Sequence, residues 1–346
     1  MLEDILSLKN IYTFPFGNTG CLFFLLFTFF ISSCTKKFQF NNANSITVTN
    51  WNLQTFFDGN NDGIEYGDFR KSKNLWNEDF YEERLDRLCK LIEEIDSDVF
   101  VMEEIENEKI LYDISNKLSH NCWYRNKIYN YAAFGKENGN SIGLGVISKY
   151  PIENIKFHGL DVRTENEKAP QMRALMEVNM SAGNKNICMY VNHWKSKSGG
   201  EEKSEKWRLW QENILAREFS NAFDSDINFA TGDFNKDYFD FTRNEHNDFL
   251  FNGIGETKTK QVMLYSPWND VTDEGSYFFR GKWEKIDHFF FAEKNRFSDF
   301  KVIKNDKILK SDGTPARYEL YNHTGYSDHL PITCRIILDC PKEVNP

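Results

Sequence analysis

The strongest constraint on the fold is a series of short apolar runs, each followed by polar residues. Their length and composition predict β-strands. Two other segments carry apolar residues at helical spacing, 81–95 and 203–223. Because strands outnumber helices, we expect an α/β fold with two packed sheets and outer helices, not one doubly wound sheet. The predicted strands cover residues 45–53, 98–105, 142–150, 174–180, 185–193, 227–232, 286–292 and 331–337.

Polar side chains recur where these strands begin or end. A single carboxylate at a strand end is ordinarily a turn or cap residue. Six strand ends that supply Asn, Glu, Asp or His indicate a constructed site, since loops at the ends of rigid strands commonly carry chemical groups. The residues concerned are Asn52, Glu104, His193, Asp233, Asn235, Asp287, Asp328 and His329.

The overall charge favours a cation over a polyanion as the default ligand. The 346 residues carry a net charge of −10, and 40% of them are hydrophobic, which excludes a disordered polymer. Nucleic acid or anionic lipid therefore requires a local positive site. The most basic stretch, 193–208, mixes lysines with glutamates and is typical of a solvated loop and helix start.

The N-terminus resembles a secretory leader. Residues 21–31 read CLFFLLFTFFI, a run too short to span a bilayer comfortably, and small residues and Cys34 follow it. The segment 31–34 resembles a bacterial lipobox, so we expect a signal peptide at 1–33, lipidation of Cys34, a tether at 34–44 and one domain at 45–340. The alternative is an uncleaved hydrophobic anchor. Both place the domain outside the cytoplasm, at the cell envelope membrane; release as a secreted protein is a further possibility.

The remaining cysteines do not form a metal-binding pattern. No CxxC or Cys/His ligand spacing occurs among Cys89, Cys122, Cys188, Cys334 and Cys340. We expect most of them to be buried thiols, with a Cys334–Cys340 disulfide left open.

Seven motifs, in order, resemble those of the endonuclease/exonuclease/phosphatase superfamily, the deoxyribonuclease-I-like fold. They extend from about residue 45 to 337, and the resemblance lies in their order and spacing. The motifs are WNLQTFFD (51–58), VFVMEEIEN (99–107), GLGVISKYPI (143–152), VNHWKSKSGG (191–200), TGDFN (231–235), KIDHFFF (285–291) and YSDHLPI (326–332).

The resemblance implies a four-layer α/β/β/α sandwich that hydrolyses phosphate esters with Mg²⁺, Mn²⁺ or Ca²⁺. Glu104 is the implied principal metal ligand, and Asn52 and Asp328 complete or support the metal shell. Such hard cations prefer carboxylate and amide oxygens, which these residues offer. Asp233 would orient or deprotonate the attacking water, and Asn235 would hold a phosphate oxygen.

The same resemblance assigns two histidines and an arginine to the scissile phosphate. Asp287 would orient His329 and favour its protonated form. His193 would be the second histidine, and Arg173 would donate to phosphate through its planar fork.

Ordinary structural roles remain open for single residues: Asn52 in a buried turn, His193 in the core, Glu104 paired with Arg173. Glu103 stands where many members of the family carry glutamine. Strand alternation points it away from the face of Glu104, and we expect it to add charge near the site.

The substrate is not fixed by the fold. An extracytoplasmic endonuclease that acts on DNA or RNA is our first interpretation, since NHWKSKSGG and SYFFRGKWEKIDHFF resemble secreted bacterial members. A phospholipid-headgroup phosphodiesterase or phosphatase is the second. An inactive surface binding lipoprotein is the third. No protein partner is implied.

Overall fold

The structure is a computed structural model. It describes residues 6–13, 44–71, 75–121, 128–159, 163–164, 167–168, 170–222, 225–254 and 259–339. The strands are β1 Leu6–Thr13, β2 Ser45–Phe56, β3 Val99–Ile105, β4 Tyr131–Glu137, β5 Gly143–Ser148, β6 Ile152–His158, β7 Arg163–Thr164, β8 Glu167–Lys168, β9 Leu175–Ala182, β10 Lys185–His193, β11 Ile227–Asp233, β12 Phe249–Ile254, β13 Thr259–Leu264, β14 Tyr277–Phe279, β15 Lys282–Glu284, β16 Asp287–Phe291, β17 Phe297–Val302 and β18 Ile332–Ile337. The helices are α1 Gly67–Arg70, α2 Glu78–Ile95, α3 Glu108–Asn121 and α4 Glu201–Asn221.

Two large mixed sheets form the body of the protein. The first has seven strands in the order β1-β4-β5-β3-β2-β18-β17, and the second has five in the order β16-β11-β10-β9-β6. Strand β11 of the second sheet lies against β2 and β3 of the first, and β16 lies against β18. One continuous apolar core fills the space between and around the sheets. The predicted two-sheet α/β architecture is confirmed.

The helices cover the outer faces. Helix α2 begins after Asn77, whose side chain accepts the Phe80 N–H at 3.2 Å, and it ends at Asp96 in the left-handed conformation. Its buried face includes Leu85, Leu88 and Ile92, as the helical spacing predicts. Helix α3 packs on β4 and β5 of the first sheet.

Helix α4 covers the second sheet and differs in one respect from its sequence pattern. Trp207 and Phe219 are buried as predicted, and the Tyr190 hydroxyl donates to the Glu218 carbonyl at 3.1 Å. Trp210, predicted on the same apolar face, is 39% exposed. Buried polar residues, Arg208 and Gln211 among them, lie on the inner face beside Trp207 instead.

The segment 239–285, which has no clear sequence pattern, forms two small hairpins, β12–β13 and β14–β15. Cys89, Cys188 and Cys334 are buried free thiols, as expected. Cys122 and Cys340 lie outside the described residues.

Strand β1 lies within the predicted signal peptide. It pairs antiparallel with β4 at the edge of the first sheet, from Leu6 opposite Glu137 to Thr13 opposite Tyr131. Cys34 lies outside the described residues, so cleavage and lipidation remain predictions. In the described ranges, the structure has no helix that is both long and apolar enough to cross a membrane.

Candidate active site

Three neighbouring strands of the second sheet place three predicted site residues in one row. His193 ends β10, Asp233 ends β11 and Asp287 begins β16. His193 is the register partner of Asp233 in the parallel pair, and Asp233 is the partner of Asp287 in the antiparallel pair. All three side chains are buried. Strand register alone therefore assembles the centre of the site.

The first sheet supplies Asn52 and Glu104 across the gap between the sheets. Asn52 pairs with Glu103 in the ladder, and an irregularity follows on both strands. Glu104 has φ +63°, a conformation that L residues rarely adopt, and its carboxylate is held by the Thr55 N–H at 2.8 Å. This bulge turns Glu104 out of the ladder and toward the site, as bulges near active sites commonly do.

The Asn52 amide links carboxylates from the two sheets. Its Nδ2 donates to Asp233 Oδ2 at 3.0 Å and to Glu104 Oε1 at 3.4 Å, while its Oδ1 accepts the Gln54 N–H at 3.0 Å. The contacts observed for Asn52 therefore position the two carboxylates. Its predicted role as a metal ligand stays a prediction.

The loop before β18 completes the site. Ser327 fixes this loop, because its hydroxyl donates to the Asn52 carbonyl at 2.6 Å and accepts the His329 N–H at 3.1 Å. Trp51 Nε1 donates to the His329 carbonyl at 2.8 Å. Asp328, the predicted metal ligand beside it, is half-buried.

Asp233 lies between two imidazoles. Its Oδ2 is 3.7 Å from His193 Nε2 and 3.9 Å from His329 Nε2, and His193 Nε2 is also 3.7 Å from Glu104 Oε1. His329 Nδ1 is 2.9 Å from Asp287 Oδ2, which also accepts the Ser276 hydroxyl at 2.5 Å. Ligand atoms of Asp233, Asp287 and His329 all lie within 4.8 Å of one another.

The two histidines are in opposite electrostatic environments. Burial lowers the pKa of His193 well below its usual value, and nearby Arg173 lowers it further. Burial also acts to lower the pKa of His329, but the carboxylates of Asp287 and Asp233 outweigh it and raise that pKa well above the usual value. The site thus pairs a neutral imidazole with an imidazolium.

The pKa of Asp233 lies above the usual range of an aspartate. Burial raises it and the neighbouring charge of Asp287 raises it further, against the opposing effect of His329. A raised pKa makes this carboxylate a better proton acceptor than an ordinary aspartate.

Arg173 and Asn235 meet at one carbonyl. Arg173 Nη1 donates to the Trp194 carbonyl at 3.3 Å, and Asn235 Nδ2 donates to the same oxygen at 3.2 Å. Asn235 adopts φ +47°, and its N–H donates to Asp233 Oδ1 at 2.8 Å. Within the described ranges, Arg173 forms no ion pair with Glu104 at or below 4.0 Å.

The expectation for Glu103 is partly wrong. Glu103 lies near the site, as expected, since the charges of Asp287 and Asp233 reach it, but it is fully buried instead of adding charge. Burial, and then the carboxylates of Asp287 and Asp233, raise its pKa well above the usual value and so favour the uncharged form.

The sequence patterns did not single out Tyr66, Ser276 or Ser327. Tyr66 is exposed beside the site, where Arg173 contacts its hydroxyl and the Glu104 charge reaches it. Ser327 falls inside the quoted motif YSDHLPI, which was a usable signal. Ser276 is the first residue of the quoted stretch SYFFRGKWEKIDHFF, which was a usable signal as well.

Solved structures of the same fold confirm the architecture. An endonuclease/exonuclease/phosphatase family protein from Bacteroides thetaiotaomicron is 14% identical with a TM-score of 0.54, covering 86% of this chain and 98% of that one. Humanized D. rerio TDP2 is 14% identical with a TM-score of 0.52, covering 85% and 99%. D. rerio TDP2 complexed with a single-strand DNA product is 13% identical with a TM-score of 0.51, covering 85% and 99%.

No protein with a curated description matches the chain. The model of the Endonuclease/Exonuclease/phosphatase family, however, matches residues 47–337, which include every predicted site residue except Cys34. With the ordered motifs and the two-sheet fold, this match shows that the chain belongs to the endonuclease/exonuclease/phosphatase family.

Proposed function

We propose that the protein is a divalent-metal-dependent phosphodiester hydrolase, and specifically an extracytoplasmic endonuclease that acts on DNA or RNA. One observation carries the proposal: Asp233 is buried between a neutral and a charged imidazole, beside Glu104. This arrangement provides a proton acceptor and a cationic donor within one small volume.

Each residue has a distinct task in the reaction. Asp233 orients the attacking water and accepts its proton, because its raised pKa favours uptake of a proton. The His329 imidazolium, held by Asp287, donates to a phosphoryl oxygen as negative charge develops there. Neutral His193 hydrogen-bonds to the phosphate group, and Arg173 and Asn235 supply further donors at the entrance.

The donor set fits a hard cation. Glu104 and Asp328 offer carboxylate oxygens at the partly open side of the site, and the predicted shell contains no sulfur ligand. Glu104, with Asn52 and Asp328 in support, would hold the ion. When bound there, Mg²⁺ would supply positive charge beside the phosphate.

Two features support nucleic acid as the substrate. The motifs resemble those of secreted bacterial nucleases, and one solved structure with this fold, D. rerio TDP2, is of a complex with a single-strand DNA product. Arg173 precedes β9 and Lys195 follows β10, and the two are close enough for each to feel the other's charge. They provide the local positive charge that an acidic protein needs for this ligand, whereas Lys197 is paired with Glu201 at 3.0 Å and Glu284 at 3.2 Å.

The test is hydrolysis by the purified full-length chain. Plasmid DNA, RNA, sphingomyelin and phosphoinositides are each incubated with Mg²⁺, with Mn²⁺ and with EDTA. We expect cleavage of nucleic acid that EDTA abolishes and either metal restores. Full activity in a metal-free preparation would contradict the metal assignment, and selective cleavage of a lipid would replace nucleic acid by a phospholipid as substrate.

A further inference from the structure

Helix α2 buries an arginine whose partners are backbone carbonyls. Arg84 is 2% exposed, and across the described ranges it forms no ion pair within 4.0 Å. Its Nη2 donates to the carbonyls of Leu53 and Gln54, each at 2.7 Å, and its Nη1 donates to the Thr55 carbonyl at 3.0 Å. A buried charge is costly unless it is paired or hydrogen-bonded. Three consecutive carbonyls therefore satisfy this guanidinium, and the guanidinium in turn fixes them.

These carbonyls belong to the end of β2, where the backbone conformation is unusual. Gln54 has φ +51° and Thr55 has φ +52°, so two successive residues other than glycine lie in the left-handed region. Such residues are strained and persist only where the surrounding structure holds them. The donors of Arg84 reach the carbonyls of both residues and so stabilise this conformation.

Two peptide groups at this point lie between Arg84 and the active site. The group that joins Leu53 to Gln54 accepts from Arg84, and its Gln54 N–H donates to Asn52 Oδ1 at 3.0 Å. The next group accepts from Arg84 through the Gln54 carbonyl and donates from its N–H to Glu104 Oε2 at 2.8 Å. Because a trans peptide group is planar, its carbonyl and N–H point in opposite directions, and fixing one fixes the other.

Two aromatic rings hold the guanidinium in the plane of these carbonyls. Its central carbon lies 4.6 Å from the centroid of the Phe56 ring and 3.7 Å from that of the Tyr318 ring. The Gln54 side chain attaches Tyr318 to the same bulge, since its Nε2 donates to the Tyr318 carbonyl at 3.1 Å and its Oε1 accepts the Tyr318 N–H at 2.8 Å. A planar fork of donors that stacks on aromatic rings is a property of arginine that lysine lacks.

Arg84 acts on the site carboxylates at a distance and through the peptide groups. Burial lowers the pKa of Arg84 to about 9, and the charges of Glu104 and Asp328 are among the smaller effects that oppose this. The guanidinium therefore stays protonated at neutral pH. Neither carboxylate, both of which the structure describes, forms an ion pair with it within 4.0 Å.

We propose that Arg84 is a positioning residue that holds Asn52 and Glu104 in the orientation required for the divalent cation. This rests on the proposed function, because it takes Glu104 as the implied metal ligand. Without the guanidinium, the two peptide groups are free to rotate, and the N–H that holds the Glu104 carboxylate moves with them. Residues that orient a metal ligand in this way typically change metal affinity by about 10- to 100-fold when they are replaced.

Mn²⁺ binding by the full-length protein, without substrate, tests the proposal. Electron paramagnetic resonance measures free Mn²⁺, and the Glu104→Gln variant identifies the binding that belongs to the active site. Arg84→Lys keeps the charge but loses the planar fork, and we expect it to raise the Kd for Mn²⁺ by about tenfold. Arg84→Met should raise it at least as much. If Arg84→Met does not fold, Arg84→Lys, which keeps the buried charge, gives the reading.

A second buried arginine provides the matched control. Arg208 is fully buried in α4 and also donates to backbone carbonyls, those of Lys195 at 3.1 Å and Glu201 at 3.2 Å, but it donates to neither β2 nor β3. We expect Arg208→Met to lower Tm, measured by thermal unfolding in EDTA, and to leave the Kd for Mn²⁺ unchanged. A purely structural role of Arg84 would give the same result in its own variants.

An unchanged Kd in Arg84→Lys and in folded Arg84→Met, or an equal rise in Arg208→Met, would overturn the positioning role and leave the metal assignment intact. Wild type that binds Mn²⁺ no more tightly than Glu104→Gln would contradict the metal assignment of the proposed function, and the role of Arg84 with it.

Discussion

At the scale of single residues, the contact between His329 Nδ1 and Asp287 Oδ2 favours the charged form of His329. The 2.9 Å contact and two nearby carboxylates hold a proton on an imidazole that burial alone would neutralise. His193, buried to the same degree without such a partner, has a lowered pKa. Two histidines of similar burial thus differ in the direction of their pKa shifts, and the proposed function assigns them different tasks.

Removal of His329 should lower turnover without unfolding the protein. We expect His329→Ala to reduce phosphodiester hydrolysis by about 10²–10³, because a charged donor to the transition state is lost. Asp287→Asn should act on the same step, and the double variant should be little worse than the worse single variant. Hydrolysis rates and thermal unfolding are measured for all three. Full activity in His329→Ala, or a loss of activity that unfolding explains, would contradict the proposed site and favour the alternative of an inactive surface binding lipoprotein.

Glu177 gives a stability prediction outside the site. Hydrogen bonds from His158, and then from Asn179 and Lys156, outweigh burial and lower its pKa from 4.5 to about 2. A lowered carboxyl pKa stabilises the fold above the unfolded value, and that contribution is lost as the pH falls from 4.5 through about 2. Glu177→Gln should therefore lower the free energy of unfolding by about 1–2 kcal/mol at pH 7, a figure that allows for screening by solvent. The loss should become progressively smaller below pH 4.5. Urea unfolding at several pH values measures the difference; a pH-independent difference would exclude this origin.

Most of the site could be predicted residue by residue, but not its local geometry. His193, Asp233 and Asp287 end or begin apolar strands, and strand ends at one sheet edge lie together. The turned-out conformation of Glu104 depends on a bulge that no sequence period reveals. The buried state of Glu103 depends on the facing sheet, whose position the strand pattern does not contain.

At the scale of elements, the close approach of β10 and β11 depends on Gly232. It adopts φ +143°, and a Cβ there would lie 2.0 Å from the Asn192 backbone oxygen. The glycine therefore permits the register that places His193 beside Asp233.

Gly232→Ala should destabilise the fold by about 3 kcal/mol or more and abolish activity, because backbone strain and a backbone clash add together. Gly313→Ala is the matched control: φ is +80° there, but nothing lies within 4 Å of an added Cβ. We expect Gly313→Ala to lower the free energy of unfolding by about 1 kcal/mol and to leave turnover unchanged. Chemical unfolding and hydrolysis rates are measured for both variants. If both lose the same stability and activity, the positive φ, and not the close approach of β10 and β11, explains why residue 232 is glycine.

The predicted elements agree with the structure where apolar runs are long. All eight predicted strands and both helices form, with ends shifted by a few residues. In the two large sheets, β1, β4, β6 and β17 were not predicted; outside them, the short strands β7, β8 and β12 to β15 and helices α1 and α3 were not predicted either. Exposed polar residues interrupt β6 and β17, since edge positions do not require continuous apolar sequence.

At the scale of the whole molecule, we predict that the N-terminus attaches the protein to a membrane through Cys34. Expressed with its leader in a bacterium that processes lipoproteins, wild type should fractionate with membranes through Cys34. Cys34→Ala should be released or left unprocessed, because lipid attachment needs the thiol. Fractionation and intact mass measure the outcome. Wild-type behaviour of Cys34→Ala would favour the uncleaved anchor, in which β1 stays attached to the sheet.

The pairing of β18 with β2 has a consequence for biosynthesis. The last strand inserts beside the first strand of the domain, and Trp51 Nε1 reaches the carbonyl of His329, 278 residues later in the chain. Asp328 and His329 precede that strand, so they are synthesised after all the other predicted site residues. A nascent chain that has not reached β18 therefore lacks both these residues and the strand that joins β2 to β17, and the proposed site cannot form until that strand has been made.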